Sequence, residues 1–305
     1  NATLQERADL ARAGGGDLSG VGDAYPPMPT FLAGILSGGT AGVAVLSSVC
    51  AGIAMQLVTA RMVRRGLPLL LMAALVLALC AALSLLSWKL GLLTVDGSLA
   101  AFAVGMVLGI LGGIGWLLLL VLFAFTGFLV TKYKMDLKIK RGVQEGRKGE
   151  RNYRNVLANG AVPMAIAVLT FLAGLEGELS ALVYMSAVCV AAADTTASEL
   201  GVLSDRTYMI TTFRRVPPGV DGGVSLYGTA WAVAASAFAA LVGWVVIMGT
   251  VPSALVLIPI AMGVLGCFID SVIGATLETK GWVTKLWNNI TSMALGAAIA
   301  LLFLL

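Results

Sequence analysis

Four polar clusters interrupt an otherwise apolar chain of 305 residues, and their residue types suit phosphate and hard-cation chemistry. In ADTTASELG, Asp194 and Ser198 stand four apart, as do Thr195 and Glu199, so a helix running through them carries two adjacent polar stripes. In ITTFRRVPPGVDGGVSLYGT, Arg214 and Arg215 precede a Pro217-Pro218-Gly219 turn and then Gly222, Gly223 and Ser225. That order describes a rigid turn followed by backbone able to present N–H groups to an anion, beside guanidinium groups that pair bidentately with phosphate. Asp270 lies between GVLGCFI and SVIGATLE, where Ser271 and Gly274 leave room for a ligand. In GERNYRNVLANG, Arg151, Arg154, Asn155 and Asn159 stand at the mouth of an apolar run, and a helix places 151, 155 and 159 on one face.

Carboxylates at membrane depth are expensive and usually functional. Asp194 and Asp270, with Glu199 assisting, are therefore candidate catalytic residues and ligands for Mg2+, which takes one or two carboxylates and completes its shell with water and phosphate oxygens. Plainer readings stand beside each: solvated acids beyond the hydrocarbon, a capped helix end at Asp270, and arginines that signal only topology. The glycine cluster matches neither a Walker sequence nor a GxGxxG after a strand. The remaining lysines of the basic loop, Lys134 to Lys148, read as a solvated patch facing lipid headgroups. With no histidine anywhere, carboxylates, hydroxyls, lysines and arginines must carry any reaction. Cys50, Cys80, Cys189 and Cys267 sit in apolar runs without CxxC spacing, as packing residues do.

The elements that must position these residues are membrane helices. Apolar residues make up 59% and charged residues 12% of the chain, with a mean hydropathy of +0.94, against about 25% charged in a soluble domain. No segment alternates with the period of a barrel strand, so the fold class is all-α, a polytopic integral membrane bundle of about 8–10 segments, one of them re-entrant or broken. Residues 1–30 form a polar N-terminal segment without the basic start and apolar core of a cleavable signal peptide. Residues 31–305 read as one transmembrane catalytic domain. Its first span, Phe31 to Ala60, carries Gly34, Gly38 and Gly42 at a spacing that lets helices approach closely.

Loop charge then sets the expected topology. Arg61, Arg64 and Arg65, and the nine cations between Lys132 and Arg154, place both loops in the cytoplasm. An even number of crossings must then separate them, so Leu67 to Trp88 and the long run Leu99 to Thr131, interrupted by Gly112, Gly113 and Gly115, should include a broken or re-entrant piece. Loops 132–157, 194–226 and 275–289 then share the cytoplasmic face, and Asp194 and Asp270 arrive there together.

RNYRNVLANG, ADTTASELG, ITTFRRVPPGVDGGVSLYGT, IDSVIGATLE and the late Asn288-Asn289 together resemble phytyl-phosphate kinase of tocopherol biosynthesis and its transmembrane relatives, from about Leu99 onward. Thr196, where that family often has Trp, and Glu278, where Gln is common, depart from the pattern. The resemblance implies a kinase that converts an isoprenyl monophosphate to the diphosphate, with CTP or another nucleoside triphosphate as donor. On this reading Mg2+ is held by Asp194, Asp270 and Glu199. Arg214, Arg215 and the Gly219 to Ser225 backbone meet donor phosphates, and Arg151 or Arg154 with Asn155 and Asn159 lie nearer the acceptor. The implied partners are membrane lipid, an isoprenyl phosphate and a nucleoside triphosphate, not nucleic acid, and a homodimer is compatible. The alternatives are a CTP-dependent lipid cytidylyltransferase and an ion-coupled transporter that uses the two aspartates.

Overall fold

The computed structural model describes residues 67–144, 149–175 and 177–305. The polar N-terminal segment, the expected first span and Arg61, Arg64 and Arg65 lie outside the described residues. Within the described residues the chain forms α1 (Leu67–Lys89), α2 (Val95–Val107), α3 (Ile114–Lys132), α4 (Met135–Arg141), α5 (Tyr153–Ala173), α6 (Glu178–Gly201), α7 (Leu226–Met248), α8 (Leu257–Ile273) and α9 (Lys285–Leu304). A π-turn, Leu108–Gly112, extends α2, and another, Gly274–Glu278, extends α8. Among the described residues, eight helices are long and apolar enough to cross a membrane.

The long run from Leu99 to Thr131 is two helices. The π-turn and Gly113, at φ +96°, reverse the chain between an 18-residue and a 19-residue segment. At about 1.5 Å per residue each spans close to the hydrocarbon thickness. The break was legible in the glycines, but the even count of crossings is overturned. Three such helices stand between Leu67 and Lys132, so the start of α1 and the end of α3 lie at opposite ends of the bundle. The direction of α1 follows from its contacts. A Cβ on Gly105 would lie 3.0 Å from Cys80 Sγ, and the chain beyond α1 pairs with Arg151, whose N–H donates to Leu92 O at 3.0 Å.

At the centre stands α6, with 83% of its most apolar window buried. Ser186, Ala187 and Ala191 to Ala193 give it a narrow surface, and glycines on its neighbours bring their backbones against it. A Cβ on Gly263 would meet Cys189 O at 2.9 Å, and one on Gly296 would meet Val190 Cγ2 at 2.7 Å. Close approach through small residues is how helices associate in lipid, where no hydrophobic drive separates helix from solvent. Tyr184 ties α6 to the start of α3, stacking on Trp116 with ring centroids 4.0 Å apart and donating to Trp116 O at 2.6 Å. By contrast α1 leans on α2 and leaves Leu71, Leu75 and Leu86 exposed, as a lipid-facing helix does.

An element absent from the sequence reading is a small antiparallel sheet of β1 (Thr207–Met209), β2 (Arg215–Val216) and β3 (Gly223–Val224), in the order β2-β1-β3. Strands of two and three residues are too short to show a period of two. The sheet orders the segment between α6 and α7.

Candidate functional site

The ends of α6 and α8, the start of α9 and the 219–225 loop enclose a cavity of about 360 Å3. Asp194, Asp270, Gly219, Gly222, Gly223 and Ser225, singled out in the sequence, all line it. So do Glu199, Ser198, Asp221, Glu278, Lys285 and Asn288. The loop arrives there for two local reasons. Pro217 and Pro218 lead into Gly219 at φ +86°, and Gly222, at φ +75°, presses so closely on the π-turn that any Cβ would overlap Ala275. Ser225 starts α7, its Oγ accepting from Gly228 N at 3.0 Å. The N–H of Gly223 donates to Val220 O at 2.9 Å, so that donor closes the turn and does not face an anion.

Asp270 is held from α9. Ser292 Oγ donates to Asp270 Oδ1 at 3.2 Å, while Asn288 Nδ2 donates both to Asp270 O and to Glu278 Oε2, each at 3.1 Å. Glu278 is the last residue of the π-turn that extends α8, and there its carboxylate accepts from α9. Asn288 is 1% exposed, and its Oδ1 has no hydrogen-bond partner. Asp194 of α6 and Asp270 of α8 both line this cavity. Among the described residues lining the cavity are five acids, Asp194, Glu199, Asp221, Asp270 and Glu278, and one lysine, Lys285; even with Glu199 neutralised by Lys138 from outside the lining, a formal excess of negative charge remains.

Glu199 has a different occupation from the expected help at a metal. Its Oε2 accepts from Lys138 Nζ at 2.6 Å and its Oε1 from Thr131 Oγ1 at 2.8 Å. Lys138 is completely buried and also donates to Val130 O at 2.8 Å and Thr131 O at 3.0 Å, the last carbonyls of α3. Reading Lys138 within a solvated, headgroup-facing patch is thus overturned. The physical reason is that the end of α3 offers unsatisfied carbonyls and α6 a carboxylate, and an ammonium satisfies both.

Arg214 and Arg215 are not at the cavity. Both are exposed on the small sheet and its turn, and Arg215 Nη2 donates to Asp205 O at 2.9 Å. In the order β2-β1-β3, β1 stands between Arg215 and the Gly223–Val224 strand. Arg154 is also outside, its guanidinium over the Tyr153 ring at 5.8 Å. Arg151, Asn155 and Asn159 do come together, although Arg151 precedes α5 and bridges to Leu93 instead of extending the helix face, and they line a second, largely apolar cavity between α1, α2, α3 and α5. Arg151 Nη2 donates to Thr131 Oγ1 at 3.2 Å, and Thr131 in turn donates to Glu199, so two hydrogen bonds join the walls of the two cavities.

Sequence reasoning missed Asp221, Glu278, Lys285, Asn288 and Lys138 as parts of this site. Asn288 carried a usable signal, an amide entering an apolar helix, which needs a partner there. Nothing in the spacing of Lys138 separates it from its exposed neighbours.

The match to the integral membrane family DUF92 covers residues 77–296. The chain belongs to the DUF92 integral membrane family. It is 32% identical over 228 residues to an uncharacterized membrane protein of Methanocaldococcus jannaschii, covering 74% of this chain and 92% of that one. To the chloroplastic protein VTE6 of Arabidopsis thaliana it is 32% identical over 217 residues, 69% of this chain and 65% of VTE6. A membrane protein of Synechocystis is 34% identical over 215 residues, 69% of this chain and 82% of that one. No solved structure matches. This DUF92 chain is thus a multi-pass membrane protein with relatives in archaea, cyanobacteria and plants.

Proposed function

We propose that this protein is a lipid-phosphate kinase that transfers the terminal phosphoryl group of CTP, or another nucleoside triphosphate, to an isoprenyl monophosphate. The observation that carries the reading is the polar cavity, where carboxylates from two helix ends face a glycine-rich loop and Lys285 at one end of a membrane bundle. A water-soluble donor and a lipid acceptor can meet only at such an interface. The resemblance to phytyl-phosphate kinases, and the likeness to VTE6 over two-thirds of the chain, support the substrate class.

The residues present fit Mg2+. Among the described residues no three Asp, Glu, Cys or His side chains converge at metal-ligand spacing, but Mg2+ asks for one or two carboxylates and takes its other oxygens from water and phosphate. Asp194 and Asp270 would hold it, with the unpartnered Asn288 Oδ1 a further hard oxygen beside them. Bound there, it supplies the positive charge without which a triphosphate would be repelled by this acidic lining.

Lys285 and the loop backbone orient the donor. The acceptor's phosphate oxygen attacks the terminal phosphorus. That O–P bond forms as the bond to the nucleoside diphosphate breaks, and the diphosphate leaves with the electron pair. The acceptor is already an anionic nucleophile, so no strong general base is needed, which suits a chain without histidine. Positioning and charge neutralisation carry the rate. The loop rich in Lys and Arg on this face supports a cytoplasmic site by the positive-inside rule.

Product analysis tests the reading. Purified protein given CTP, Mg2+ and a panel of prenyl phosphates should yield isoprenyl diphosphate and CDP. CDP-lipid and diphosphate would establish a cytidylyltransferase in its place.

A further inference from the structure

The second cavity has the form of a chain-binding groove. It encloses about 290 Å3 between α1, α2, α3 and α5, and its walls are largely apolar, with Leu83, Leu120 and Phe128 among them. Two of its rim residues, Leu86 and Phe125, are more than half exposed on the outer surface of lipid-facing helices, so the groove opens sideways toward the bilayer. Its deep end is closed where α1, α2 and α3 meet. A Cβ on Gly105 would lie 3.0 Å from Cys80 Sγ and 3.4 Å from Leu117 Cδ1, leaving no passage beyond.

The polar end is built differently. Arg151, Asn155 and Asn159 line it, and Asn159 is 9% exposed with an Oδ1 that has no hydrogen-bond partner. A buried acceptor without a donor costs free energy comparable to a lost hydrogen bond. A phosphate monoester suits that end. Its anionic oxygens suit the guanidinium, and its protonated oxygen, or a water it carries, donates to Asn159. This end is also the one that two hydrogen bonds, through Thr131, join to the polar cavity.

We propose that this groove binds the hydrocarbon chain of a single-chain phosphate monoester taken from the bilayer, with its headgroup at Arg151 and Asn159. We further propose that the floor at Cys80, Gly105 and Leu117 sets how much chain is enclosed. The volume admits on the order of ten methylene-sized units, each near the ~30 Å3 of a water molecule, which is one chain and not two. The identification of that chain as an isoprenoid rests on the kinase reading; the groove and its headgroup end do not.

Photo-crosslinking of the purified full chain with a geranyl phosphate analogue carrying a terminal diazirine tests the proposal without turnover. Labelling should fall on α1 and α3 near Cys80 and Leu117. Geranylgeranyl phosphate should compete it away, whereas phosphatidic acid and geraniol should not. Ala101→Phe, which fills the groove from α2, should weaken the competition by geranylgeranyl phosphate by at least about tenfold, the discrimination typical of a hydrophobic pocket that loses room. Labelling that maps elsewhere, or that phosphatidic acid or the alcohol displaces equally well, overturns the proposal even if Ala101→Phe does not fold. Labelling in the groove without phosphoryl transfer from any triphosphate would refute the kinase reading and leave the groove standing. Transfer with labelling elsewhere would do the reverse.

Discussion

Replacing Lys138 with Met should be among the most destabilising single changes in this protein, and the structure sets the size of the effect. Lys138 is completely buried, 2.6 Å from Glu199 Oε2, and its other two hydrogen bonds go to Val130 O and Thr131 O. Removing one partner of a buried ion pair leaves the other charge uncompensated, at about 3–5 kcal/mol. Changing both partners to apolar side chains removes that penalty and leaves only the loss of the two hydrogen bonds to α3 carbonyls, at roughly 0.5–1.5 kcal/mol each. Lys138→Met loses those bonds as well as stranding the carboxylate and should therefore cost about 4–8 kcal/mol, and Lys138→Met with Glu199→Leu only about 1–3 kcal/mol. Equilibrium unfolding in mixed micelles of the two single variants, the double variant and the parent gives the coupling energy. Additivity within about 0.5 kcal/mol would refute the reasoning, since it would mean that the two side chains do not depend on each other.

Four further outcomes follow from the same geometry. Asp194→Asn and Asp270→Asn should each abolish turnover while a thermal melt shows folded protein, and near-normal turnover in both would remove the metal site. Arg214→Ala and Arg215→Ala should leave the donor KM unchanged, because neither side chain reaches the cavity; a large rise in either would restore the arginines to the donor site. Gly222→Ala should impair turnover and lower stability, with about 1–3 kcal/mol from the positive φ alone and more from the overlap with Ala275, as a melt and a steady-state assay would show. Single cysteines at Lys140, Asp205 and Lys280, all exposed, should react alike with an impermeant thiol reagent in right-side-out and inverted vesicles. Opposite accessibility of any one would break the shared face.

The helical membrane class was legible because hydropathy and length alone specify it. Asp194, Asp270 and the glycine loop were legible because an acid or a glycine cluster is conspicuous in apolar sequence. The topology around α1 was not, since charge counting supplied an even number of crossings where the Gly112-Gly113 reversal makes an odd one. The arginines misled because their chemistry suits phosphate while their direction depends on strands too short to see in sequence. Lys138 and Glu278 were hidden for a related reason. Whether a charged residue near a helix end meets solvent or a partner is decided by the neighbouring helix, and here α6 and α9 decide it.

The central claim, phosphoryl transfer to a lipid monophosphate at the polar cavity, is tested most directly by giving the purified protein CTP labelled in its terminal phosphate together with Mg2+ and geranylgeranyl or phytyl phosphate. The label should appear in the lipid diphosphate, and should be lost when the divalent cation is removed or when Asp270 is changed to Asn. Label that never reaches the lipid, whichever triphosphate and prenyl phosphate are supplied, would contradict the account.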